Sequence, residues 1–299
     1  PPLRPFQDVE ELEEKISAIF YKVNPPFGEY FETMRREGLL DLANRKHKAD
    51  GAYTTDFSLS KRPFIFGNVV GIPDDVQTLA HESGHAFHAF ETYKLPYFQQ
   101  RWTPMEFNEV ASMAMENLIM PYLTKDQDGF YSERDAARAI ITHLSDNLSF
   151  WPYMAMVDAF QHWAYEHPDG GMDAHACDVK WAELEKRFRP HVDWSGFEDI
   201  MMTGWHRKPH IHQAPFYYIE YGLAQLGAAQ VWLNALNDQE EAVKKYHTAL
   251  KLGGTTTLPR LYAAAGVKLA FDGATLKKVV NAMEEKIAEM EEKSVSSSR

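Results

Sequence analysis

The stretch HESGHAFH, residues 81 to 88, sets three histidines and a glutamate within eight positions. His81 and His85 are four residues apart, so on a helix they share one face about a turn from each other, where two imidazoles can meet one metal ion. Glu82 lies one position round, beside that face, and can reach a water at the metal without being a ligand. This is the HExxH arrangement of zinc peptidases, with the glutamate as general base. The competing reading is a polar patch of three unrelated histidines, and the rest of the chain has to decide.

A third ligand is needed. In metzincins the pattern continues HExxHxxGxxH, but the matching positions here hold His88 and Glu91. His88 is seven residues past His81, about 10 Å along a helix axis, too far to share a metal, and it reads as a packed or supporting histidine. No glycine makes the sharp turn that would bring Glu91 back. Glu109, in FNEVASMAMEN, lies 28 residues after His81, beyond the turn-rich KLPYFQQRWTP that lets a second helix fold against the first. Glu109, Ser112, Met113 and Glu116 fall on one face of that helix. Glu109, near its start, is the candidate ligand, and Glu116, two turns on, can orient a histidine. The alternative for Glu109 is a solvated acid, but a carboxylate among Val, Ala and Met wants a partner.

The elements that position these groups read as mostly helical. VEELEEKISAIFYKV places Leu12, Ile16 and Ile19 on one stripe, and PPFGEYFETMRREGLL reads as a second helix opened by its prolines. GAYTTDFSLSKRPFIFGNVVG breaks the helical pattern, and Pro63 to Val70 is expected as a strand. Helices return from Pro73 onward. Ser132 to about His167 is expected as one long helix, or two joined near Trp151-Pro152. The expectation is a mostly α, zincin-like catalytic domain of packed helices, with a small β element before the metal-binding helix. No linker separates domains, so 1–299 is expected as a single catalytic domain, with 294–299 a disordered tail.

The bulk numbers narrow the function. A net charge of −12, from 43 acids against 31 bases, argues against a nucleic-acid or anionic-membrane partner. No apolar run approaches the roughly 18 residues of a membrane span, and PPLRPFQDVEE carries no signal-peptide core. The opening Pro-Pro, without an initiator Met, is read as a processed product or a part of a longer protein. Cys177 is the single cysteine, so neither an internal disulfide nor a Cys-based metal site can form, and a cytoplasmic setting is expected.

HESGHAFH followed by NEVASMAMEN resembles the M3 family of zinc oligopeptidases, in particular its oligoendopeptidase F and Pz-peptidase branch. RPFIFGNVVGIPDDVQTLAHE, HIHQAPFYYIEYGLAQLGA and LKLGGTTTLPRLYAAAGVKL are similar to three further stretches of that family, so the likeness runs from about Gly51 to Phe271. The resemblance implies one zinc per chain held by His81, His85 and Glu109, with Glu82 as base. It also implies that His210 and Tyr217 donate hydrogen bonds to the oxyanion, with Tyr221 nearby against substrate. Tyr218 is the alternative to Tyr217. Members of this family are usually about twice this long. The chain therefore resembles only the catalytic C-terminal half, and an N-terminal lobe or partner chain is expected to be missing.

The reading is a zinc metalloendopeptidase cleaving internal bonds of short unstructured peptides. The strand at Phe64 to Val70, through Phe66, Gly67 and Asn68, is expected to pair with extended substrate by β-augmentation, reading main chain with broad sequence tolerance. Two rivals keep part of the pattern: a zinc amidohydrolase on a non-peptide amide, and a non-catalytic helical binding module derived from a peptidase.

Overall fold

Caps and amphipathic spacing start the chain. In the computed structural model, which describes residues 2–296, α1 runs Val9–Val23 and opens on Asp8, whose side chain accepts from the Glu11 N–H. Its buried stripe holds Leu12, Ile16, Ile19 and Phe20. Prolines open α2, Pro25–Arg36. That helix stops short of the Gly38-Leu39-Leu40 run expected to continue it: Gly38 takes φ 67°, and the chain turns into β1, Leu40–Ala43.

Two more strands follow, β2 at Tyr53–Phe57 and β3 at Arg62–Val69, in the sheet order β1-β3-β2. β3 is within one residue of the expected strand at either end. It pairs parallel with β1, Leu40 facing Ile65, and antiparallel with β2, Thr54 facing Ile65. The end of β3 is tied to the next helix by one carboxylate: Asp75 Oδ2 accepts from the N–H groups of Val70, Gly71 and Ile72 at 2.9, 2.7 and 2.9 Å. That clamp leads directly into α3, Pro73–Thr92, the helix carrying HESGHAFH. Phe87 on its rear face stacks on Phe27 of α2 at 4.9 Å and meets Phe20 of α1 edge-on at 5.0 Å, so three helices share one aromatic core.

Helix α4, Met105–Leu118, carries Glu109. The long helix α5, Glu133–Glu166, passes through Pro152 without ending. The short helices α6, Pro168–Gly171, α8, Glu198–Met202, and α9, Pro209–Gln213, alternate with the longer α7, Ala174–Phe188. The chain ends with α10, Tyr218–Asn237, α11, Gln239–Leu250, α12, Leu258–Ala264, and α13, Gly273–Ser296. The fold is mostly α with one small sheet, as expected. The tail is not: residues 294–296 continue α13, and 297–299 lie outside the described residues.

The chain divides into two compact units. One joins Pro1–Leu144 to Ala224–Arg299, and the other is Ser145–Leu223. Both boundaries fall inside helices, α5 and α10, so no loop marks them. The second unit has its own apolar cluster, built on Met156, Val157, Phe160, Trp181 and Leu184.

Candidate metal centre

His81 and His85 project from α3 with ring centroids 5.0 Å apart. From α4, Glu109 Oε2 lies 3.5 Å from the Nε2 atoms of both. All three ligand atoms fall within 4.8 Å of one another. What brings the two helices this close is Gly84, in the middle of the motif. A Cβ there would stand 2.5 Å from the Ala111 carbonyl oxygen and 2.7 Å from Ser112 Cα, both backbone atoms of α4. Ser112 Oγ in turn lies 3.1 Å from the carbonyl oxygen and 3.2 Å from Oε2 of Glu109.

The supporting groups are specific. Glu116 Oε1 is 2.6 Å from His81 Nδ1. With that nitrogen donating, Nε2 is the ring atom turned toward Glu109, and the one a metal would take in place of a proton. Glu82, 6 % exposed, is held from β2, where Thr54 Oγ1 lies 2.7 Å from its Oε2 and 2.9 Å from its carbonyl oxygen. Thr54 carried no mark in the sequence beyond strand propensity.

Charge at the centre is strongly coupled. Burial works against a proton on His81, but Glu109 and Glu116 outweigh it and hold its pKa well above the ordinary imidazole value. Burial would raise the Glu109 carboxyl, yet His85 and His81 keep it far below the carboxylate range. A site that stabilises positive charge against a buried carboxylate, with two imidazoles and an oxygen donor converging, fits zinc and leaves room for further ligands.

His88 and Glu91 stand apart from it. His88 is 4 % exposed, packs on Phe107 of α4, and is kept neutral by burial, which lowers its pKa to about 3. Glu91 is engaged elsewhere: Tyr30 Oη and His247 Nε2 each lie 2.6 Å from its Oε1, and Lys94 Nζ is 2.9 Å from Oε2.

The expected substrate strand needs a correction. β3 is the middle strand, paired with β2 from Arg62 to Phe66 and with β1 at Ile65, Phe66 and Val69, so an added strand cannot pair along its Arg62–Phe66 stretch. Asn68 is also occupied, its Nδ2 donating to the Ala49 and Gly51 carbonyls at 2.6 and 3.1 Å. Phe66 stacks on Tyr53 at 4.9 Å. Phe66, Gly67 and Asn68 nonetheless line a cavity of about 230 Å³ that extends to Glu82.

His210, Tyr217, Tyr218 and Tyr221 belong to the second unit and gather there. The His210 ring lies 5.7 Å from Tyr217, and its Nε2 is 3.4 Å from Tyr221 Oη. Tyr218, the alternative to Tyr217, is 4 % exposed and packs edge-on against Phe150 and Tyr153. Tyr217 follows Phe216, a non-glycine residue with φ 62°. Gln161 Oε1 accepts from the Phe216 N–H at 2.8 Å, while His162 and Tyr165 flank its ring. A left-handed residue of this kind costs about 1–3 kcal/mol and persists only where its surroundings over-determine it.

With this geometry in view, the comparison with known proteins is decisive. The family model described as Peptidase family M3 matches residues 20–281. The chain belongs to that family. It is 24 % identical to oligopeptidase PepF of Bacillus subtilis over 274 residues, 89 % of this chain but 40 % of the relative. Against a plasmid oligoendopeptidase F of Lactococcus lactis it is 25 % identical, covering 88 % of this chain and 43 % of the relative. A solved Pz peptidase A superposes with a TM-score of 0.85 at 32 % identity, over 95 % of this chain and 49 % of that one. The M3 chain in hand thus spans about half the length, or less, of the relatives it matches.

Proposed function

We propose that this chain is the catalytic part of a zinc metalloendopeptidase acting on internal bonds of short, unstructured peptides. One observation carries the reading: His81, His85 and Glu109 converge from two helices while Glu82, which does not join them, stands beside them on the same helix. One zinc per chain, held by those three residues, would polarise the scissile carbonyl and make an attacking water more acidic.

The chain's own residues do the rest. Glu82 takes the proton from the attacking water and passes it to the leaving amine, and Thr54 holds the carboxylate in place for both transfers. Glu116 keeps His81 turned so that Nε2 serves as the ligand atom. His210 and Tyr217 are proposed as donors to the carbonyl oxygen as negative charge builds on it, and Tyr221 as a substrate contact. The strand that receives substrate is moved from β3 to β2. Among the described residues β2 is paired on one side alone, and Thr54 ties it to Glu82. Main-chain pairing along that edge reads backbone, which supports broad sequence tolerance. Phe66, Gly67 and Asn68 line the neighbouring cavity, proposed as a side-chain subsite.

Both compact units are proposed to serve this one activity, with a further lobe or partner chain supplying what the longer relatives have in addition. No described helix is long and apolar enough to cross a membrane. A cytoplasmic setting is part of the proposal and rests on the single, buried Cys177. The test is metal content by mass spectrometry beside turnover of a quenched peptide and of small amides, before and after a chelator. The expected result is about one zinc per chain and peptide cleavage that the chelator abolishes and zinc restores. Chelator-resistant cleavage, or turnover of the amides alone, would overturn the reading.

A further inference from the structure

Behind the candidate centre, a chain of polar contacts continues away from it. His143, in the first third of α5, is 8 % exposed. Its Nδ1 faces Glu116 Oε2 at 3.8 Å, and its Nε2 lies 3.0 Å from Asn117 Oδ1. The amide of Asn117 is itself oriented, since its Nδ2 donates to the Met113 carbonyl at 3.2 Å. The oxygen end of that amide therefore meets His143, and Nε2 must carry a hydrogen to donate to it. The imidazole is fixed at one end by α4 and presents the other to a carboxylate on the same helix.

Glu116 has two oxygens with separate duties. Oε1 is bonded to His81 Nδ1 at 2.6 Å, and Oε2 faces His143. A carboxylate held by one oxygen alone can swing about its side-chain torsions, and each swing would turn the His81 ring with it. As an imidazolium, with hydrogens on both nitrogens, His143 sets a positive charge 3.8 Å from Oε2 while His81 holds Oε1, and an ion pair on one side with a hydrogen bond on the other restrains the carboxylate's plane. Fixing the supporting carboxylate is how outer groups hold a ligand ring in register, and losing such a group commonly weakens metal binding about 10- to 100-fold.

We propose that His143 is a positioning residue for the metal centre, holding Glu116 through Oε2 so that Oε1 keeps the His81 ring aimed at the metal. The proposal rests on the reading of His81, His85 and Glu109 as a zinc site. His143 touches neither metal nor substrate, and its action runs through Glu116 alone.

The test measures zinc affinity of the full chain by competition with a chromophoric chelator, for wild type, His143→Ala, the volume-keeping His143→Leu, Glu116→Gln and the corresponding double variants. Thermal melts of the zinc-free proteins check folding, and cobalt substitution reports ligand geometry through its visible bands. Both His143 variants are expected to bind zinc about tenfold more weakly and to shift the cobalt bands. In the Glu116→Gln background the same substitutions should add less than twofold, because the group through which His143 acts is already altered. His143→Gln, which keeps a polar group facing Glu116, should recover most of the affinity. If wild type holds zinc and both His143 variants bind it equally well, or if their effects simply add to that of Glu116→Gln, the positioning role is overturned and the zinc site stands. If wild type binds no zinc, the site reading itself fails, and the role of His143 with it.

Discussion

Glu82 and Glu109 are both buried carboxylates beside one centre, and their partners assign them different work. Glu109 faces two imidazole nitrogens at 3.5 Å, whereas Glu82 accepts from the Thr54 hydroxyl. Glu109→Ala should therefore lose most of the bound zinc, measured as metal content after gel filtration. Retention of full occupancy would remove Glu109 from the ligand set. Glu82→Gln should keep the zinc and the fold but lower turnover by about 10² to 10⁴, the usual scale for removing a general base. A zinc-loaded variant with near-normal turnover would sink the proposed proton transfer. Tyr217→Phe should lower kcat far more than it changes KM, by roughly 10² to 10³, because its hydroxyl acts on charge that exists mainly in the transition state. An unchanged kcat would move the role to Tyr218 or Tyr221. Much at this scale was legible in the sequence. Helical spacing alone placed His81, Glu82 and His85, and brought Glu109 and Glu116 to the face that meets them. Thr54 was not legible: it reaches Glu82 across 28 residues, through a strand-on-helix contact that no local spacing encodes. His143 reaches Glu116 in the same long-range way.

At the scale of elements, the centre exists because α3 and α4 approach without a side chain between them at Gly84. Adding one methyl there would press on the Ala111 carbonyl and the Ser112 backbone, neither of which can rotate aside. Gly84→Ala should therefore destabilise the protein by about 1–3 kcal/mol, as overpacking does. It should also weaken zinc binding, since the ligands stand on the two helices being pushed apart. Denaturant melts and zinc titrations on one preparation check both, and a variant as stable and as tight as wild type would mean that the helices can separate freely. The far end of α3 is held by charge. Glu91 is 1 % exposed; burial alone would raise its pKa, but His247, Tyr30 and Lys94 together lower it from 4.5 to about 2. A carboxylate more acidic in the folded state stabilises the fold above its unfolded pKa and ceases to do so as pH falls through the folded one. Stability on the order of 3 kcal/mol should thus be lost between about pH 4.5 and 2, and Glu91→Gln should flatten that part of the curve. Equal acid profiles for the two proteins would show that Glu91 is not the group responsible. β3 was legible as a strand because a short stretch rich in aromatic and β-branched residues, bounded by glycines, breaks the helical pattern there. Its central place was not, because β1 and β2 are only four and five residues long and pairing order is a tertiary property.

Over the whole molecule, the division into two units escaped the sequence for a physical reason: the chain passes from one to the other within α5 and α10, where helical periodicity runs on unbroken. Composition shifts and loops mark a boundary only when the chain leaves regular structure there. The same scale governs what substrate can be. A peptide paired along β2 must offer several consecutive residues in extended form, with their N–H and C=O groups unused. A folded domain rarely offers that, because its strands are already paired and its helices satisfy their own backbone groups; freeing a segment costs local unfolding. An unstructured peptide loses only chain entropy, about 1–2 kcal/mol per residue fixed, which ladder hydrogen bonds and the cavity beside Phe66 can offset. The chain should therefore cleave one sequence much faster as a free peptide than when the same sequence lies within a rigid folded host, and the rates should converge as the host is destabilised by point mutations. An upper limit on peptide length is a separate matter: this chain matches 40 % of the Bacillus subtilis protein, and the pairing argument from the matched part sets no such limit. Equal cleavage of the sequence in the free and rigid contexts would mean that binding does not require an extended backbone, and pairing along β2 would have to be abandoned.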